Sequence, residues 1–309
     1  WAAAWIYPPA AGVECRAAEQ TRRNATGENA MKYLRNAKEA VVRCARWLGG
    51  YAGRNESSSS APPRQVPVVA DDEGEWLILE GGVWFKYLDA LNSISGIIRQ
   101  AGSFETTELD LVRWNLPEGG TFIDVGANAG LYSLLAWHWF KDVQIHAFEP
   151  VPFAYDAFRA NIAKNRIGGD RLFLNQMAVG DENKTVHITT DFHSSNYLAD
   201  SQSSEKTVPV SCVTLDHYAQ EQKIGRVDFI KIDVEGKEFA VLAGAEQMLR
   251  RDRPKLLVEL LEKPAPFHDR IVDDYRKSLR LMLDLGYEYY VIDDDNHVLH
   301  MARLQEGKF

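Results

Sequence analysis

From Trp76 onward, the apolar positions of the chain fall into short runs whose spacing switches between the period of a strand and that of a helix. Trp76-Leu77-Ile78-Leu79 and Val83-Trp84-Phe85-Lys86, joined through Glu80-Gly81-Gly82, predict a β-hairpin. A helical stretch follows from about Thr106 to Trp114, and Pro117 with Gly119-Gly120 ends it. The pattern then predicts strand 121–125, helix 130–140, strand 143–148, helix 153–165 and strand 172–178. It resumes as strand 227–232, helix 236–250 and strand 255–260. Alternation at this spacing implies right-handed crossovers and a parallel sheet. Between the two blocks, 184–214 reads as two β-rich stretches around a polar loop, Asp191 to Asn196, as an antiparallel insertion would. The end of the chain predicts a helix over 269–284, then a hairpin of Tyr287–Ile292 and His297–Met301 around Asp293-Asp294-Asp295-Asn296, which places one antiparallel strand on the sheet.

The first 65 residues follow no such plan. Residues 1–30 show no sustained period. Over 31–48, Leu34, Val41, Val42, Ala45 and Leu48 share one side while Lys32, Arg35, Lys38, Arg43 and Arg46 lie largely elsewhere, which predicts a basic amphipathic helix. That helix packs lightly on the domain or, alternatively, makes a weak membrane-surface contact. Four consecutive serines with Pro62, Pro63 and Pro67 make 52–67 a linker. The chain is therefore divided into an extension, 1–65, and a domain, 66–309, and a chain starting near Val66 is expected to fold and bind ligand like the whole.

Charge sharpens this division. The net charge is −9, yet residues 1–65 carry ten Lys or Arg against five acids and the remainder 25 against 39. An acidic domain is a poor partner for nucleic acid, so none is expected. Cys15, Cys44 and Cys212 are odd in number and form no C-x-x-C spacing, so no zinc site or disulfide framework is read from them. No apolar stretch is long enough to span a bilayer, and Trp1–Tyr7 lacks a basic leader and is followed by Pro8-Pro9. A cytoplasmic location is expected.

The most informative chemistry lies at the first strand of the alternating block. Thr121–Val125 runs into Gly126-Ala127-Asn128-Ala129-Gly130 and then a helix, and Glu149 ends the next apolar run. Glycines let such a turn fold tightly against a ligand, and a carboxylate roughly 20 residues on takes the hydroxyls of a ribose. Asn128 occupies the place where a dinucleotide site clears room for pyrophosphate with a glycine. The turn therefore favours S-adenosylmethionine, which has an adenosine and an amino-acid tail but no phosphates, over NAD. Asp124 either ties the turn together or meets the cofactor's amino group. A second pair of acids, Asp233 and Glu235, ends the mostly apolar run Val227–Ile232, which reads as a central strand. They share a face if the strand continues through them and diverge if Glu235 begins the turn. Either could orient or deprotonate a hydroxyl; Glu235 could instead cap the helix expected from Gly236, and Asp233 could hold a metal with Glu259. Two or three acids do not establish a metal site, and none is assigned.

The chain resembles the FkbM family of S-adenosylmethionine-dependent methyltransferases over about residues 97–262. Gly102-Ser103-Phe104-Glu105, Asp124 to Gly130, Phe148-Glu149-Pro150-Val151-Pro152, Ala178-Val179-Gly180-Asp181, Val213-Thr214-Leu215-Asp216 and Asp228 to Gly236 carry the resemblance. Lys237 departs from it, standing where the family often has a small residue. The resemblance implies an α/β fold of class I methyltransferase (Rossmann-like) type, a mostly parallel seven-stranded sheet with an antiparallel final strand and helices on both faces. It implies that the turn Gly126 to Gly130, with Asn128, wraps the methionine part of the cofactor, that Glu149 holds the ribose and that Asp181 lies near the adenine, unless Asp181 is a simple turn residue. Glu105 and Asp124 complete the cofactor set. The implied activity is O-methylation of a saccharide or other small hydroxylated metabolite. From its place at the end of a central strand beside the crevice, Asp233 is expected as base, with Glu235 orienting the acceptor and His193, from the loop 191–206 that reads the acceptor, as rival base. The alternatives are an N- or carboxyl-methyltransferase of the same fold, or a non-catalytic binding protein.

Overall fold

A computed structural model describes residues 2–7, 65–88, 93–189, 207–260, 271–293 and 298–301. The helix expected over 31–48, the loop 191–206 with His193, and Cys15 and Cys44 lie outside the described residues.

The elements run in the order β1 (Ala2–Tyr7), β2 (Val68–Asp71), β3 (Gly74–Ile78), β4 (Trp84–Lys86), α1 (Ile94–Ala101), α2 (Thr106–Asn115), β5 (Thr121–Val125), α3 (Leu131–Trp139), β6 (Gln144–Phe148), α4 (Pro152–Lys164) and β7 (Leu172–Asn175). They continue as β8 (Ala178–Val179), β9 (Lys184–Thr189), β10 (Thr207–Val213), α5 (Leu215–Glu221), β11 (Phe229–Ile232), α6 (Glu238–Ala243), α7 (Glu246–Asp252), β12 (Lys255–Leu260), α8 (Ile271–Asp284), β13 (Glu288–Asp293) and β14 (Val298–Met301). The expected hairpin forms, with Leu77 opposite Phe85, and β2 adds a third strand to it.

The main sheet has the order β14-β13-β1-β12-β11-β5-β6-β7. Five of these strands, β12, β11, β5, β6 and β7, are parallel neighbours, as the alternation implied. The strand count departs from the seven expected: eight strands are hydrogen-bonded, because β1 lies antiparallel between β12 and β13. The final strand β14 pairs antiparallel with β13 at the sheet's outer edge. Residues 2–7, within the extension expected over 1–65, thus join this sheet. Their run of three alanines has weak strand propensity, and their partners lie about 250 residues away on β12 and about 280 away on β13, so no local signal marks them.

Two further expectations change. The strand expected over 172–178 is split, since β7 ends at Asn175 and β8 joins β10 and β9 in a separate sheet. There β9 and β10 pair antiparallel, Val208 opposite Ile188, in the region read as an insertion. The helix expected over 236–250 is broken into α6 and α7. Gly244 sits at the break because its backbone lies against Gly180: a Cβ there would run into the Gly180 carbonyl oxygen.

Alternate residues of the central strands face opposite cores. Ile123, Ile230, Ile232, Leu256 and Val258 pack with α5, α6, α7 and α8. Phe122, Phe229 and Leu257 face the other way, with α2, α3 and α4. Two residues further along that second face stand Asp124, Lys231 and Glu259, on three neighbouring strands and toward their carboxyl ends. Polar residues on a buried face of a central sheet need partners, and these three cluster beneath the carboxyl edge of the sheet. Cys212 is a buried core residue of the smaller sheet. Among the described residues, no helix is long and apolar enough to cross a membrane.

Candidate functional site

At the end of β5 the chain enters the left-handed region three times in five residues, with φ of 75° at Gly126, 51° at Asn128 and 87° at Gly130. The two glycines are needed for space as well as for φ. A Cβ at Gly126 would collide with the carbonyl oxygen of Asp233, and one at Gly130 with the ring of Phe158. Asn128 tolerates the left-handed conformation better than most residues, and its own Oδ1 accepts from Ala129 N at 2.8 Å. The turn is tied to β6 by Gly126 N and Ala127 N, both donating to Phe148 O at 3.0 Å.

Glu149 follows at once. Its Oε2 accepts from Asn128 N and its Oε1 from Val151 N, each at 2.8 Å. The side chain is 5% exposed, and burial pushes its carboxyl up to about 7 in spite of those two donors. Each oxygen spends one lone pair on a backbone N–H and keeps another. Asp124 is fully buried; Ser133 Oγ donates to its Oδ2 at 2.6 Å, while Oδ1 has no partner among the described residues. The Ser133 bond ties strand to helix, and burial raises the Asp124 carboxyl.

The acids of β11 separate. Asp233 extends the ladder by one residue, its N donating to Val125 O at 3.0 Å, and Lys231 Nζ donates to its Oδ2 at 3.0 Å. The same ammonium reaches Gly126 O at 3.3 Å and sits 5.0 Å from the centre of the Tyr132 ring. Glu259 stands beside Asp233, since Ile232 pairs with Val258 on the neighbouring strand. Burial acts to raise Asp233, but the Lys231 ammonium outweighs it and, with Glu259 alongside, holds Asp233 below the usual carboxylate range. Burial, with the charge of Asp233, pushes Glu259 up to about 11. Burial would lower Lys231, yet the charges of Asp233, Asp124 and Glu105 hold it above its ordinary value.

Glu235 begins the turn, with φ 53°, followed by Gly236 at 91°, so the strand does not continue and the two acids diverge. Burial and then the charge of Asp233 push Glu235 up to about 7. It does not cap the helix. Helix α6 starts at Glu238, and it is Glu238 Oε1 that accepts from Gly236 N, at 2.9 Å. Glu105, in a left-handed conformation ahead of α2, accepts from Tyr132 OH at 2.5 Å, and burial pushes it up to about 7.

A pocket opens along this edge, with about 790 Å³ of empty space counted out to open solvent. Asn128, Glu149, Asp233 and Glu235 line its polar part, and Val151 and Met177 belong to its apolar wall. Asp181 is not among the lining residues. Its side chain is half exposed, 3.8 Å from Lys184 Nζ, as a turn acid would be. Asp233 and Glu259 make a poor cation site: one carboxylate already carries an ammonium, and burial with the charge of Asp233 disfavours ionisation of the other. Lys231 and Tyr132 were not singled out from the sequence. The signal available was a lysine at an inward position of a buried strand, which needs a counter-charge.

A glycine-punctuated turn between a central strand and a helix, with a carboxylate at the end of the next strand, is the ligand edge of an open α/β sheet. Residues 124–289 match the family described as Methyltransferase FkbM domain, and the chain belongs to that family. It is 31% identical over 162 residues to the 31-O-demethyl-FK506 methyltransferase FkbM of Streptomyces tacrolimicus, covering 42% of this chain and 61% of that one. It is 26% identical over 163 residues to Methyltransferase sdnD of Sordaria araneosa, covering 43% and 63%. It is 28% identical over 152 residues to the 2-O-methyltransferase NoeI of Sinorhizobium fredii, covering 42% and 59%. The chain thus spans about three fifths of the length of these relatives.

Proposed function

We propose that the chain is an S-adenosylmethionine-dependent O-methyltransferase acting on a hydroxyl of a saccharide or other small hydroxylated metabolite. The observation that carries this reading is the joining of the Gly126–Gly130 turn to the buried carboxylate of Glu149, with further acids at the neighbouring strand ends. The residues present fit the cofactor. The two free lone pairs of Glu149 suit the two hydroxyls of a ribose, Val151 and Met177 offer an apolar wall to a base, and Asn128 leaves no cradle for phosphates. The turn from Gly126 to Gly130, Asp124 and Glu105 would hold the amino-acid end. The names of two relatives place the methyl on oxygen, and this supports a hydroxyl acceptor here.

When bound, the cofactor supplies a methyl group already activated by the positive charge on sulfur. The protein's part is orientation and proton removal. Holding an acceptor in line is worth about 7–11 kcal/mol of barrier in well-oriented systems. For the base we propose Glu235 in place of Asp233. Asp233 is occupied by Lys231 and Glu259 and held below the usual range, whereas Glu235 lines the pocket and is poised near 7. A base near neutrality combines the right protonation state with driving force, contributing typically about 10²–10⁴-fold.

Cofactor turnover against a panel of saccharides and small hydroxylated metabolites, with product analysis by mass and by site, tests the reading. Expected is methylation on oxygen, with Glu235→Gln lowering kcat by about 10²-fold or more while cofactor affinity is kept. Methyl found on nitrogen or carboxylate, or no cofactor binding by calorimetry, would overturn it. His193→Ala belongs in the same assay, since collapse there with full activity in Glu235→Gln would pass the base role to the loop.

A further inference from the structure

We infer that Lys231 is a positioning residue: it fixes the charge on Asp233 and the proton on Glu259, so that one lysine holds the cofactor turn and the acceptor-side carboxyls in register. The inference rests on the proposed reaction for its purpose, but not for its geometry. Two carboxyls side by side that share a single ammonium do not both ionise, because like charges at that spacing repel and only one of them is neutralised. Their adjacency follows from the sheet: Ile232 pairs with Val258, so the next residues on β11 and β12 stand side by side.

The position of the proton follows from the neighbours. Lys231 Nζ lies 3.0 Å from Asp233 Oδ2, and no cation has such a contact with Glu259 among the described residues. A carboxyl facing an ammonium stays ionised, and the proton goes to the other. Among the described residues, the other groups around this cluster are Asp124 on β5, Glu105 ahead of α2, Tyr132 on α3 and Glu235 in the turn after β11. Of these, Glu105 adds to Asp233 in disfavouring a negative charge at Glu259. Asp233 is then a carboxylate with the Lys231 ammonium aimed at it and a neutral carboxyl alongside, and it cannot rotate without losing the ammonium. Lys231 also donates to Gly126 O, the first residue of the cofactor turn. The backbone there already touches the Asp233 carbonyl so closely that no side chain fits between them. A shift of Lys231 therefore moves the turn and the acid together. This explains why an ammonium is buried on a strand that would otherwise be wholly apolar on that face.

The test uses the full chain without cofactor or acceptor, so failure of the proposed reaction leaves it readable. Carboxyl-carbon NMR, with Glu259 assigned by its loss in Glu259→Gln and Asp233 by its loss in Asp233→Asn, reports each protonation state directly. Expected between about pH 5 and 9 is Glu259 at the protonated position and Asp233 at the ionised one. In Lys231→Met, Asp233 should move toward the protonated position; in Lys231→Arg, which keeps the charge, it should not. Melting gives a second reading that survives misfolding of Lys231→Met. Glu259→Gln keeps a neutral donor to Asp233 and should melt like the parent. Asp233→Asn leaves a buried ammonium without its counter-charge and should melt lower by roughly 10 °C. An ionised Glu259 signal, an Asp233 signal indifferent to Lys231→Met, or the opposite order of the two melts would overturn the inference.

Discussion

Replacing Glu149 by Gln separates what this carboxylate does for the fold from what it does for a ligand. In the protein its two oxygens each accept one backbone N–H, from Asn128 and Val151, at 2.8 Å. Gln keeps one of these bonds and turns its amide toward the other donor, losing a charge-assisted bond worth about 1.5–3 kcal/mol. Against that stands the cost of burying the charge. The carboxyl is raised by burial from an ordinary 4.5 to about 7 in a side chain that is nearly inaccessible, so no discount for solvent screening applies. A shift of that size corresponds to about 3 kcal/mol. The two effects nearly cancel above neutral pH. A group raised in the folded state contributes stability that is fully present below its unfolded value of 4.5 and is lost as pH rises through about 7. Parent minus Gln stability should therefore fall by about 3 kcal/mol between about pH 4.5 and 8, leaving similar melting midpoints at the upper end. Affinity behaves differently. A ribose loses acceptor lone pairs that nothing replaces, a deficit on the order of 2–4 kcal/mol, or roughly 30- to 900-fold in Kd for S-adenosylmethionine. Calorimetric titration at pH 8 with melts across the pH range reads both quantities. An affinity within threefold of the parent, or a melting difference that is flat with pH, would refute the reasoning.

Three other perturbations have defined outcomes. Gly126→Ala puts a Cβ at φ 75° and into the Asp233 carbonyl oxygen, so calorimetry should find cofactor affinity lost and scanning melts should find stability lowered by about 1–2 kcal/mol or more. Deleting residues 2–7 strips β12 and β13 of the strand between them, and thermal melts should show a lower midpoint; a truncated chain as stable as the parent would restore the expectation that 66–309 suffices. Glu238, which faces Asp274, is pushed up to about 8 by burial, so its contribution to stability is lost as pH rises through that value; Glu238→Gln, which keeps an acceptor for Gly236 N, should flatten the alkaline slope of the melting midpoint.

The parts of this site that were legible in the sequence are those built by neighbours along the chain. The Gly126–Gly130 turn and Glu149 fall within 25 residues, and the apolar runs of β5, β6 and β11 are bounded by glycines, prolines or acids that mark where a strand must stop. What escaped depends on register. Asp233 and Glu259 become partners only once β11 and β12 are paired, and Lys231 becomes the arbiter of their proton only because β5 brings Gly126 alongside. In isolation Asp233 is a carboxylate at a strand end, which is why it is expected as base; in the sheet it is one member of an ion pair with Lys231. The strand β1 shows the same dependence on distant partners, since three alanines give no period and only the open flanks of β12 and β13 give them a place.

The distribution of charge across the site follows from this pairing. Glu105, Glu149 and Glu235 are all pushed to about 7, and burial is the leading cause each time. Among the described residues none of them has an ammonium bonded to its carboxyl, and the ammonium of Lys231 is committed to Asp233. The crevice therefore keeps a reserve of carboxyls that are costly to ionise when water and counter-charge are absent. A cationic ligand placed among them would lower that cost, whereas a neutral one would not. For the reaction proposed, the two states of the cofactor differ by one positive charge at the reacting centre, present before transfer and absent after it. A site whose acids are uncompensated distinguishes those states by electrostatics alone, holding the charged one more firmly and releasing the neutral one. Had Lys231 been free to pair with Glu235 or Glu105, that distinction would weaken. For the reaction proposed, confining the lysine to Asp233 would serve both the rigidity of the turn and the turnover of the site.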